Sequence, residues 1–207
     1  MKSMEETYDS EGYRKLGWFN FLGFYQRAIG SIIRNSVDIQ DGNRILDAGC
    51  GYGLVSRAIE NEIKANKIDI ELYGFDISPS MPKAYRSFVS IPAELGCMDA
   101  CNLSYEDNYF DTIICAGLFE HIENPEIVIS EYMRCLKPNG QLLVVVSQKN
   151  ALTQTMISFF GNATGSDYSE FKPFLAHSDI TDVRRVYFRG FYIWGNVFSF
   201  VVRCQAK

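Results

Sequence analysis

No block of five or more lysines and arginines occurs anywhere in the 207 residues, and with 20 basic against 25 acidic residues the formal charge is −5. The electrostatic footprint of a nucleic-acid binder is therefore missing, and polyanionic substrates are disfavoured. No apolar run approaches the roughly twenty residues that cross a bilayer. Phe191 to Val202 is the most apolar stretch near the end, and it reads as a buried pair of strands, so no stable membrane insertion is expected. The six cysteines (50, 97, 101, 115, 135 and 204) contain no Cys-x-x-Cys pair, which argues against a metal cage and for thiols in a reducing compartment. Met1 to Glu11 is polar and no secretion signal follows it, so a cytoplasmic chain is expected. Internal repeats and low-complexity segments are lacking as well.

What is present fits one enzyme-sized domain. A hydrophobic fraction of 47% can fill a single core. The most informative residues are 45 to 53, Ile-Leu-Asp-Ala-Gly-Cys-Gly-Tyr-Gly. An apolar strand runs there into a turn whose alternating glycines, Gly49, Gly51 and Gly53, let a ligand lie against bare backbone. A dinucleotide fingerprint would place its third glycine at Leu54, so NAD is the weaker reading. Asp47 should emerge at the carboxyl end of this strand. A second apolar run, Ile70 to Phe75, ends in Asp76, where a carboxylate can accept both hydroxyls of a ribose. A third segment ends in Gly96-Cys97-Met98-Asp99-Ala100, and Asp99 can accept a hydrogen bond from an exocyclic amine such as that of adenine. Three carboxylates after three strands suit a cationic adenosine ligand and would repel a pyrophosphate.

Further along, Phe110 to Cys115 followed by Ala116-Gly117-Leu118-Phe119-Glu120-His121 reads as a strand and its loop, and Glu131 to Leu142 as a helix, a Lys-Pro-Asn-Gly turn and another strand. With the glycine turn and the spaced aspartates, this order resembles the class I S-adenosylmethionine-dependent methyltransferases over roughly residues 40 to 147. It resembles most their small-molecule branch, which includes quinone-biosynthesis enzymes. Asn139 stands where that family has glycine, and Asn tolerates left-handed backbone.

The resemblance implies an α/β fold: a Rossmann-like, doubly wound sheet of seven strands, mostly parallel with an antiparallel strand 7, and helices on both faces. It implies S-adenosyl-L-methionine as cofactor, with Asp47, Ala48 and Gly49 at the methionyl end, Asp76 at the ribose, and Asp99 and Ala100 at the adenine. Gly51 and Gly53 belong to the same turn, while Ile77, Met81, Ala116 and Leu118 are candidates to line the pocket. A methionine placed like Met81, one turn into the next helix, is more often core than adenine contact, and Gly53 could serve close helix packing alone. No metal site is expected. Methyl transfer by in-line displacement needs alignment and dryness more than a base. If a base is used, His121 after the fourth strand is the first candidate and His177, the only other histidine, the second. Partners are expected to be a small apolar or aromatic acceptor and, at most, a second copy of the chain. A catalytically silent protein that keeps only the cofactor pocket is the alternative.

Two segments fall outside these motifs. Residues 1 to 40 are aromatic and read as a helical lid, with a helix over Phe19 to Val37 interrupted at Gly23 and Gly30. The methyltransferase domain would then occupy 41 to 207, with a substrate-specifying insertion around 149 to 177 carrying Phe159, Phe160, Tyr168, Phe171 and Phe174. Other local signals predict a helix opened by Ser78-Pro79, a helix from Ser178 to Arg189, and a closing hairpin around Gly195-Asn196.

Overall fold

A computed structural model describes residues 19–157, 165–190 and 195–207. In the middle of the chain the apolar residues alternate faces with the period of two that a strand buried on both sides requires. Leu142, Val144 and Val146 belong to one core cluster, and Leu143 and Val145 to the other. They lie on β5 (Leu136–Ser147), the strand with the longest fully buried stretch. Around it stand β1 (Asn43–Ala48), β2 (Ile70–Asp76), β3 (Glu94–Cys97), β4 (Phe110–Ala116), β6 (Ile180–Val186) and β7 (Ser199–Ala206). They form one seven-stranded sheet in the order β3-β2-β1-β4-β5-β7-β6, with β7 antiparallel to both its neighbours and the other pairs parallel. This is the expected doubly wound, mostly parallel architecture.

Helices cover both faces. α1 (Phe19–Ser36) and α2 (Leu54–Asn66) bury Ala28, Ile29, Ile32, Ile33, Ala58 and Ile59 against Ile45, Ile114 and Val145. α4 (Pro125–Cys135) buries Val128, Ile129, Tyr132 and Met133 on the opposite face. The shorter helices are α3 (Met81–Phe88), α5 (Ala151–Ile157), α6 (Tyr168–Phe171) and α7 (Gly195–Phe198). α1 runs unbroken through Gly23 and Gly30, contrary to expectation. At Gly30 an added Cβ would stand 3.7 Å from that of Ala58, so this glycine lies in the close contact of α1 with α2. Arg34 of α1 and Glu62 of α2 add a forked ion pair, with Nε–Oε1 at 2.8 Å. Ala28, Ile29, Ile32, Ile33 and Val37 are thus core. Residues 1–18 lie outside the described residues.

Three local signals are overridden. The helix expected from Ser78-Pro79 begins at Met81 with Ser80 as its cap and Pro82 in its first turn. Ser78 is held in the preceding turn, its N–H donating to Asp76 and its hydroxyl at 3.0 Å from that of Ser80. The helix expected from Ser178 is the edge strand β6, because β7 offers a ladder along its length and Ile180, Thr181, Val183 and Val186 are β-branched. The hairpin around Gly195-Asn196 is replaced by the short helix α7, and β7 pairs instead with β5 and β6. Phe191–Trp194, its expected first strand, lies outside the described residues. The Lys137-Pro138-Asn139-Gly140 turn is a bulge within β5. Leu136 pairs with Phe110 and Gln141 with Thr112, so the intervening residues are looped out. Asn139 takes the left-handed conformation at φ 64°, while a Cβ at Gly140 would stand 2.8 Å from the Lys137 carbonyl oxygen.

Candidate functional site

The parallel register brings the carboxyl ends of five strands to one edge: Ala48 faces Phe75 and Cys115, Asp76 faces Cys97, and Ala116 faces Val145. Since β1 neighbours both β2 and β4, the strand order reverses at β1, and the crevice outside such a switch point is where open α/β sheets hold ligands.

Asp47, the last but one residue of β1, lies on the face covered by α2 and is only 1% exposed. One of its carboxylate oxygens accepts the Ser56 N–H at 3.0 Å and the Ser56 hydroxyl at 2.6 Å. Burial nevertheless pushes its pKa up to about 7, Ser56 opposes this, and the charge of Asp76 adds to it. Such a carboxyl gains most from a cation placed beside it. Asp76, at the end of β2, bridges two loops: one oxygen accepts the Gly51 N–H at 3.0 Å and the other the Ser78 N–H at 2.9 Å. Each oxygen keeps a lone pair for a further donor.

The glycines divide by role. Gly51 has φ 47° and nothing within 4 Å of a would-be Cβ, which leaves open backbone facing the crevice. Gly53, at φ 84°, would drive a Cβ to 2.5 Å from Val89 and 2.9 Å from Tyr85, so close packing with α3 also requires it. Gly49 lies beneath the Leu118 side chain, 3.1 Å from the same hypothetical atom, which places the loop after β4 over the turn after β1.

The remaining candidates fall into three groups. Ala116 and Leu118 lie at the β4 end of the crevice, with Leu118 half-buried. Ile77 stands on the rim at 53% exposure, and Met81 and Ala100 are buried. Asp99 is exposed, with Oδ1 accepting the Cys101 N–H at 2.9 Å in a turn closed by Asn102 N–H to the Asp99 carbonyl at 3.0 Å. It follows β3 next to the Asp76 strand end, where the Met98 N–H donates to the Asp76 carbonyl.

The two histidines part company. His121 lies in the 3₁₀ turn Phe119–His121, where burial lowers its pKa while Glu120 and Asp76 act against the shift, so its imidazole is neutral at neutral pH and sits within electrostatic reach of the crevice. His177 precedes β6 at the opposite edge, where Ile180 pairs with Ala206, and its ring touches Ser130 at 3.2 Å and the Asp179 N–H at 3.2 Å. The structure does not bring it to the crevice mouth, where the sequence placed it.

Other residues belong to this edge beyond the predicted site set. Ser56 is invisible as the partner of Asp47 until α2 folds back on β1. Glu120 is 7% exposed, and its Oε1 accepts the Ser147 N–H at 2.6 Å from the end of β5. Tyr25 of α1 comes close enough that, after burial, Glu120, Cys115 and Asp47 hold its phenol well above its ordinary pKa. Among the described residues no lysine or arginine pairs with Asp47, Asp76, Asp99 or Glu120. No group of three or more histidine, cysteine or acidic side chains able to hold a metal occurs among them, and none of their helices is long and apolar enough to cross a membrane.

A doubly wound sheet with an antiparallel seventh strand is the fold this chain shares with solved methyltransferase structures. Residues 46–144 match the family of the methyltransferase domain. A ubiquinone biosynthesis O-methyltransferase of Xylella fastidiosa is 26% identical over 132 residues, covering 61% of this chain and 49% of that protein. The chain thus spans about half the length of that curated relative. Among solved structures, an S-adenosylmethionine-dependent methyltransferase of Thermotoga maritima superposes with a TM-score of 0.70 at 18% identity, covering 99% of this chain and 100% of that one. The phosphoethanolamine N-methyltransferase 2 of Haemonchus contortus, in complex with phosphomonomethylethanolamine and S-adenosylhomocysteine, gives 0.71 at 16% identity over 100% of this chain and 60% of that one.

Proposed function

We propose that this chain transfers the methyl group of S-adenosylmethionine to a small acceptor with an apolar or aromatic body. The observation that carries the reading is that Asp76 holds the Gly51 N–H of the glycine turn, with open space at Gly51 and with the buried Asp47 close enough to feel the Asp76 charge. The residues fit this cofactor. Asp47, with its raised pKa of about 7, is stabilised as an anion by an ammonium group. Asp76 has lone pairs left for a ribose diol. In this reading Asp47, Ala48 and Gly49 hold the methionyl end, Asp99 and Ala100 the adenine, and Ile77, Met81, Ala116 and Leu118 the walls around the adenosyl group. The cofactor, when bound, supplies an electrophilic methyl carbon on a sulfonium whose leaving group departs neutral.

The protein's own part is to align the acceptor with that carbon and to exclude water. Tyr25 of α1 lies within electrostatic reach of Glu120, Cys115 and Asp47, which supports a lid role for the segment around it. His121, held neutral by burial, can accept a proton from the acceptor. Relatives named for O- and N-methylation make oxygen and nitrogen the first acceptor atoms to try.

Calorimetry with S-adenosylhomocysteine tests the reading. Binding in the micromolar range is expected, at least about tenfold weaker in Asp76→Ala. Equal affinity in the variant removes the ribose assignment, and absence of binding removes the cofactor.

A further inference from the structure

The geometry points to Glu120 as the binding site for the hydrogen-bearing nitrogen or oxygen of the methyl acceptor. The inference rests on the proposed transfer function and adds to it a recognition group and a substrate class: an apolar body bearing one amine or hydroxyl.

Glu120 has one carboxylate oxygen satisfied and one not. Oε1 accepts the Ser147 N–H at 2.6 Å and so ties the loop after β4 to the end of β5. Oε2 is buried with no hydrogen-bond partner, and it is the only carboxylate oxygen in that condition among the described residues. The other unpartnered acceptors there, such as Thr112 and Thr153, are hydroxyls that rotate to suit their surroundings. A carboxylate oxygen cannot do so, and once out of water it needs a donor from elsewhere.

Among the described residues no donor lies within hydrogen-bond reach of it. Phe119 turns away into the core, 5.0 Å from the Phe171 ring. No arginine or lysine among the described residues pairs with Glu120. Among the described residues the side chains within its electrostatic reach include the Tyr25 phenol, the Cys115 thiol and the His121 imidazole. The position matches an acceptor site: β4 and β5 are neighbours, and their carboxyl ends adjoin the crevice on the side away from β2, where the ribose carboxylate Asp76 lies. A metal is a poor occupant, since no cluster of three potential ligands exists among the described residues.

The test uses three isosteric probes, 2-phenylethylamine, 2-phenylethanol and propylbenzene, titrated by calorimetry into the full chain saturated with S-adenosylhomocysteine. Binding of S-adenosylhomocysteine is measured first and by itself, so that failure of the cofactor reading is seen separately from failure at Glu120. The amine or the alcohol is expected to bind about ten- to a hundredfold tighter than propylbenzene, the range of one hydrogen bond to a charged group. The tighter of the two identifies the acceptor as amine or alcohol. Glu120→Gln keeps the bond to Ser147 through its amide oxygen and replaces Oε2 by a donor. It is expected to abolish the preference while binding S-adenosylhomocysteine within about twofold of the parent. The comparison among probes on the parent protein decides even if the variant does not fold. Propylbenzene binding as tightly as the other two, no binding of either donor probe, or an unchanged preference in folded Glu120→Gln overturns the proposal.

Discussion

Ser56 donates twice to Asp47, through its backbone N–H at 3.0 Å and its hydroxyl at 2.6 Å, and both bonds reach the same carboxylate oxygen. Even so, burial leaves the pKa of Asp47 near 7, against an ordinary value of 3.8. Between those two values the folded chain keeps a proton that the unfolded chain has lost. The stabilisation from this group is complete below pH 3.8 and is lost as the pH rises through about 7. Denaturant titrations of the ligand-free protein are expected to show a loss of stability across that window, on the order of 2–4 kcal/mol, that Asp47→Asn does not show. Parallel curves for parent and variant would mean that Asp47 is ionised throughout.

Gly51 and Gly53 separate binding from folding. Alanine at 53 meets Val89 and Tyr85 at distances that real Cβ atoms do not adopt, in a left-handed conformation. Thermal unfolding of Gly53→Ala is expected to show a loss of about 2–4 kcal/mol. Gly51→Ala meets no atom and is expected to lose only about 1–2 kcal/mol from its positive φ. Its affinity for S-adenosylhomocysteine should nonetheless fall by tenfold or so, because the methyl group projects into the proposed ligand space.

The two histidines make opposite predictions. His121→Ala is expected to lower turnover by about 10²–10⁴-fold if its imidazole takes the acceptor's proton, with S-adenosylhomocysteine affinity nearly unchanged. His177→Ala, at the far edge beside Ser130, should alter neither quantity. Single-turnover transfer and calorimetry on both variants check this, and a turnover defect in His177→Ala would contradict the placement.

Asn139 carries a positive φ of 64° in the β5 bulge. Asn139→Gly is expected to leave stability unchanged or raise it slightly, whereas Asn139→Val should cost about 1–2 kcal/mol, read from urea midpoints.

Much of the fold was legible because its signals are local and repeated. The apolar run of β5 and the Ile-Leu-Asp-Ala-Gly turn each encode strand and direction within a few residues, and order along the chain then leaves few right-handed topologies. Ile180 to Val186 was not legible in the same way. A serine cap and a following glycine favour a helix locally, and only the free edge of β7 makes a strand the better partner for those residues. Gly23 and Gly30 misled for a related reason, since the burial of Ala28, Ile29, Ile32 and Ile33 against α2 and the sheet holds α1 together through glycines that would weaken an isolated helix. Of the insertion aromatics, Phe171 proved to be core, edge-on to Phe119, and Tyr168 packs on Phe200. Phe159 and Phe160 lie outside the described residues.

By itself the sequence determined the strand–turn–helix order, the acidic ends of β1 and β2, and the glycines between them, because each depends on residues adjacent in the chain. Tertiary structure alone decided that Ser56 serves Asp47, that Ser147 takes only one oxygen of Glu120, and that His177 lies at the wrong edge. Those relationships join residues distant in sequence, and their energies depend on burial and on which strand lies beside which, neither of which a linear spacing contains.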